Sequence, residues 1–134
     1  MNLIQQNYMP EEKLQKNVLG EELETCSIDP LTGWFRDGCC NTNEVDYGVH
    51  TVCARVSKKF LEWAKEAGND LITPHPEFDF PGLKDGDLWC VCANTFAASI
   101  DAGTACRIYL KKTNEKTLDI IPLEKLKQFA IDLS

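Results

Sequence analysis

Leu88-Trp89-Cys90-Val91-Cys92-Ala93, "LWCVCA", places two thiols one residue apart in a run of apolar and aromatic residues bounded by Gly86-Asp87. The aromatic and β-branched content reads as a strand. Side chains at i and i+2 then share one face, with backbones about 6.6 Å apart along the strand. Tetrahedral zinc needs its sulfurs roughly 3.8 Å apart, so Cys90 and Cys92 converge on one ion only if the strand bulges or their rotamers lean inward. The same spacing is too long for a relaxed disulfide between them. They fit a shared face better than a shared bond.

A second strand precedes this one. "VHTVCARV", Val49 to Val56, is rich in β-branched residues. Alternation sets His50, Val52, Ala54 and Val56 on one face and Cys53 on the other, so His50 and Cys53 cannot chelate together on a strand. Ser57 then caps a helix that runs through Ala67 and stops at Gly68, with Phe60, Leu61, Ala64 and Ala67 as its apolar stripe. Pro74, Pro76 and Pro81-Gly82 keep Leu71–Asp87 irregular.

Behind "LWCVCA" a short helix is expected over Thr95–Ala102, ended by Gly103, then a strand over Ala105–Lys111 and another over Thr117–Ile121. Pro122 suits the first turn of a last helix whose buried face is Leu123, Leu126, Phe129, Ala130 and Leu133. Upstream, turn signals dominate residues 17–47, including "DPLTG" (Asp29–Gly33) and "RDG" (Arg36–Gly38). That region reads as a long ordered loop rich in cysteine and aromatics, and residues 1–16 as a flexible tail. The sum is an α+β fold. Residues 17–134 form a single compact domain, with a small, mostly antiparallel sheet and two to three helices.

The chain has 134 residues, enough for one core, and its 26% charged and 43% hydrophobic content is that of a globular domain. A net charge of −7 without a basic run argues against nucleic acid. No apolar stretch approaches the ~20 residues needed to cross a bilayer. The start, "MNLIQQNYMPEEKLQK", lacks the pattern of a secretory signal, so the expected location is the cytoplasm. In a reducing compartment, seven cysteines are expected to be buried, metal-bound or reactive rather than paired, and the odd number leaves one over in any case.

Three readings of the thiols stay open. In the first, Cys26, Cys39, Cys40, Cys90, Cys92 and His50 supply ligands to a soft-ligand metal, zinc being the expected ion. In the second, Cys39, Cys40 or Cys90 is a nucleophile, with "DGCC" presented on a turn and His50 as base. In the third, the cysteines pack as small hydrophobes, Cys53 and Cys106 above all, and the loop docks a protein. Adjacent thiols diverge, so one of Cys39 and Cys40 points inward and the other outward. Arg36 and Asp37 either pair across their turn or bind a ligand, the guanidinium forking an anionic group. Trp34 and Trp89 are candidates to line an apolar pocket. No catalytic residue is assigned, and no nucleophile elbow, phosphate loop or dinucleotide fingerprint occurs. The expected partner is a metal, a small molecule or a protein.

The strings "CSIDPLTGWFRDGCC", "GVHTVC", "GNDLITP", "FPGLKDGDLWCVCA" and "PLEKLKQFA" together resemble a family called domain of unknown function 2237, over roughly Asn17 to Asp132. The resemblance implies a small, stand-alone, mostly bacterial domain with no established activity. It also implies that Cys26, Cys39, Cys40, Cys53, Cys90, Cys92, His50, Arg36, Asp37, Asn69 and Asp70 occupy motif positions. His75, Asn114 and Cys106 depart from the family pattern, so a family-wide role is not expected of them.

Overall fold

β1 (His50–Arg55) forms where the β-branched run predicts it and lies at the centre of a three-stranded sheet. The computed structural model describes residues 15–133. β1 is antiparallel to both neighbours, β2 (Leu88–Cys92) and β3 (Arg107–Ile108), in the order β2–β1–β3. The architecture is the expected α+β domain.

Alternation along β1 and β2 divides the interior in two. Val52, Ala54, Trp89 and Val91 face the main core, which holds Phe60, Phe96, Ile108, Leu110 and Leu126. Cys53 and Cys90 face the other way, into a separate buried cluster with Cys26 and Cys40. Because Cys53 and Cys90 are register partners, their side chains stand side by side on that second face. Helices cover one side, and the long loop covers the other.

α1 (Lys58–Glu66) starts at Ser57, whose hydroxyl accepts from Phe60 N–H, and buries Phe60, Leu61 and Ala64. Gly68 follows with φ of +99°, the left-handed geometry that ends a helix at little cost to glycine. α2 (Ala93–Asp101) begins earlier than Thr95: it leaves β2 directly, with Cys92 in the N-cap position. Ala93, Phe96 and Ser99 are its buried face.

The C-terminal third departs from the expected strands. Only Arg107–Ile108 pairs with β1 as a strand: Tyr109 N–H still reaches the Cys53 carbonyl at 3.0 Å, but Leu110 and Lys111 N–H turn to the Asp132 carboxylate at 2.7 and 2.9 Å. Residues Leu110–Lys112 accordingly form a 3₁₀ turn. The expected strand over Thr117–Ile121 is instead a 3₁₀ helix, Glu115–Asp119. Asn114 caps it by accepting from Lys116 N–H, and the Thr117 hydroxyl is bonded to that of Thr51 at 2.7 Å. β-branching there serves a buried hydroxyl pair, not a strand.

The last helix, α3 (Leu123–Lys127), has five residues, with Pro122 before it. Beyond it the chain bridges alongside β3, with Ile108 N–H donating to Phe129 and Ile131 N–H to Ile108. Leu126 is buried as expected, whereas Leu133 is exposed.

The loop before β1 is held by buried polar side chains. The Asn17 amide donates to Glu22 and Lys111 carbonyls and accepts from Leu19 and Glu21 N–H. Asn114 donates to Gln15 and to the Cys40 carbonyl. Among the described residues every buried side-chain nitrogen and oxygen has a partner. The tail expected over residues 1–16 lies outside the described residues up to position 14, and Gln15 is already tied to Thr42.

Candidate functional site

Four of the seven thiols are not free. Cys26 is bonded to Cys53 and Cys40 to Cys90, against the expectation of unpaired cysteines. The topology explains the pairing: Cys53 and Cys90 are neighbours across the β1–β2 ladder, and each takes a partner from the covering loop. Cys53 is thus a staple and not mere packing. Cys39, Cys92 and Cys106 remain free.

The predicted metal ligands separate accordingly. The sulfurs of Cys26, Cys40 and Cys90 lie within 4.8 Å of one another, and Cys53 is joined to Cys26. Cys39, Cys92 and His50 stand outside that cluster. A bonded sulfur is not the thiolate that zinc requires, so the cluster is a ligand set only when reduced.

Cys39 and Cys40 diverge as expected. Cys40 is fully buried, while Cys39 is half-buried with Sγ 3.7 Å from the Thr25 hydroxyl. Burial raises the Cys39 thiol pKa above its ordinary value, with Thr25 opposing and the Asp37 carboxylate adding to the rise. Cys106 packs in the main core as expected, and burial pushes its pKa up to about 12. Neither is a good nucleophile near neutrality.

Arg36 and Asp37 do not pair. Asp37 brackets the loop, accepting from Cys39 N–H and the Asn41 amide at 3.0 Å each. Arg36 sits at φ of +56°, a strained value for a residue with a side chain, and its guanidinium lies 5.3 Å from the Trp89 ring centre.

Trp34, Arg36, His50, Asn69, Trp89 and Cys92 line one cleft of about 390 Å³, along with Asp70 and His75. It forms where the loop, the start of β1, the turn after α1 and strand β2 meet. Trp34 lies parallel to His50 at 6.0 Å, and the Asn69 amide reaches Thr95 on α2. A larger groove of about 680 Å³ is lined by Tyr47, Val49 and Ile120 together with Asp46, Glu115 and Asp119, and holds no thiol or histidine. The chemistry-bearing side chains converge on the smaller cleft.

His50 is fixed from behind by Asp46, which the sequence reading did not single out. The Asp46 carboxylate is fully buried; Oδ1 is 2.6 Å from His50 Nδ1, and Oδ2 accepts from His50 N–H and the Thr42 hydroxyl at 2.9 Å each. The signal was present as Asp46-x-x-x-His50 around Gly48, whose spacing folds the carboxylate back under the ring. A Cβ on Gly48 would stand 2.6 Å from His50 Cε1, so glycine leaves the ring its room.

A family model described as "Uncharacterized protein conserved in bacteria (DUF2237)" matches residues 16–130. No curated protein matches the chain.

Proposed function

Because the chain belongs to that uncharacterised bacterial family, we propose from the site itself that the protein binds a small organic ligand in the cleft of Trp34, Arg36 and Trp89. The observation that carries this reading is the convergence of those three side chains with His50 and Cys92 around about 390 Å³, the size of pocket that suits a small molecule. The exposed Trp34 indole offers an apolar wall to a planar group, and the buried Trp89 ring backs the Arg36 guanidinium that lies over it. Arg36 has one N–H on the Leu31 carbonyl at 3.2 Å and further donors left for a carboxylate or phosphate. An anionic, planar ligand fits that combination.

Titrating aromatic carboxylates while following tryptophan fluorescence tests it. Binding is expected to quench the signal, and Arg36→Ala to weaken it about tenfold or more, through loss of a charge-assisted pair. Equal affinity in Arg36→Ala removes the reading.

One observation favours a second reading, that the reduced form holds a soft metal: three sulfurs already lie within 4.8 Å, with Cys53 attached to one of them. Four buried thiolates from Cys26, Cys40, Cys53 and Cys90 make a closed zinc set. The reduced chain refolded with zinc is then expected to retain a stoichiometric ion through gel filtration and to melt lower after chelation. Metal-free elution with chelator-insensitive melting rejects it.

A further inference from the structure

We infer that Cys92 is a nucleophile that takes acyl groups from esters or thioesters held in the cleft, with His50 as its base and Asp46 as the residue that positions His50. This rests on the cleft being a ligand site and assigns chemistry to it.

Three independent features meet at Cys92. First, it is the register partner of His50 across the β1–β2 ladder, and both line the cleft. Directly opposed residues hold their Cβ atoms about 5 Å apart, a gap that the Cys92 thiol closes by its own rotation toward an imidazole held in place by Asp46. The ladder shifts register between His50 and Val52, so His50 escapes the strict alternation that would group it with Val52 in the core. Second, the buried Asp46 carboxylate holds His50 Nδ1 at 2.6 Å. With Nδ1–H given to Asp46, Nε2 is the acceptor, the tautomer a base needs. Third, Cys92 is the N-cap of the nine-residue α2, and no side chain caps that end. Ala93 N–H is taken by the Val49 carbonyl, which leaves the following first-turn N–H groups, those of Asn94 and Thr95, for a developing oxyanion.

The step balances without any oxidant. The sulfur of Cys92 bonds to the carbonyl carbon as the thiol proton passes to Nε2 of His50, and the carbonyl electron pair moves onto oxygen. Collapse breaks the bond to the leaving alcohol or thiol, which takes the proton from Nε2. Water then attacks the thioester in the same way, releasing the carboxylic acid and restoring the thiol. A buried carboxylate behind the imidazole serves this proton traffic. The other two free thiols stand apart from such a relay: Cys39 contacts Thr25, and Cys106 is in the core.

The test uses 4-nitrophenyl acetate with the full chain, following nitrophenol release and locating the acetyl group by mass spectrometry of peptides. Acetylation is expected on Cys92 and to vanish in Cys92→Ala, a substitution at a half-exposed position. His50→Gln is expected to slow acylation about 100-fold or more. Asp46→Asn is expected to lower kcat at least about tenfold with KM within about twofold, a split that a general loosening of the fold would not give. Acetylation that persists at the wild-type rate in Cys92→Ala, or that falls on Cys39 or lysines alone, overturns the inference. Carboxylate binding measured on the same Cys92→Ala protein separates the two ideas. Retained binding with no acylation of the wild type leaves the cleft a ligand site and removes only its nucleophile.

Discussion

Reduction of both disulfides, with the freed thiols blocked, is expected to lower the melting temperature by more than about 10 °C. The bonds link residues 27 and 50 positions apart. In the chain-entropy account, loops of those lengths stabilise the fold by about 3.5 and 4 kcal/mol. The closed segments, 26–53 and 40–90, overlap, so one bond shortens the loop that the other must close, and the joint effect falls below the sum. Against a total stability of about 5–15 kcal/mol, even one such contribution is a large part.

The loop is where the loss should show first. It covers the second face of the sheet with buried cysteines in place of larger apolar groups, so it has little hydrophobic burial to fall back on. Thermal melts by circular dichroism, with and without reductant and for the Cys40→Ala/Cys90→Ala protein, check this. A shift under about 2 °C would mean that the sulfurs are not bonded in the native protein. Recovery of the melt by zinc after reduction would favour the four-thiolate state over the disulfides.

What the chain revealed of itself follows how local each signal is. β1, β2 and α1 were readable because β-branched runs, a serine cap and a helix-stopping glycine act within a few residues. α2 was readable except at its start: Cys92 has no capping side chain, and nothing in "CANT" announces that the helix leaves the strand at once. The C-terminal strands failed for a long-range reason. Asp132 captures two N–H groups some twenty residues earlier in the chain, and the Thr117 hydroxyl is claimed by Thr51, 66 positions away. Propensity at residues 117–121 reported β-branching correctly and its use wrongly.

The site divides in the same way. Trp34, Arg36, Trp89 and His50 stood out in the sequence by residue type alone, and the fold gathers them around one cleft, while the divergence of Cys39 from Cys40 follows from adjacency alone. Which cysteines pair depends on the register that places Cys53 beside Cys90, and register is a property of the sheet. Asp46 was passed over because an acidic residue in a turn-rich segment ordinarily faces water; here it is buried by the loop it helps to fold.

Phe96→Ala is expected to destabilise the protein by about 3–5 kcal/mol, the range for removing a fully buried aromatic side chain from a core that relaxes only partly. Phe96 is completely inaccessible, and its ring meets Phe129 edge-on at 5.8 Å with an interplanar angle of 88°. That contact adds to the area it buries. Phe96→Leu keeps most of the volume and is expected to cost well under half as much. Urea titration measures both, and an unchanged slope with a lower midpoint is the signature of lost native stability alone.

The substitution also probes the cleft from beneath. Phe96 lies one turn beyond Cys92, so it anchors the end of α2 that presents the thiol and the open N–H groups. If Cys92 acts through a fixed α2 terminus, Phe96→Leu should slow its acylation while leaving carboxylate affinity near the wild-type value, because Trp34 and Arg36 hang from the covering loop and not from the helix. A loss of both together would mean that the loop and α2 move as one body, and then the thiol's reactivity could not be tuned apart from binding.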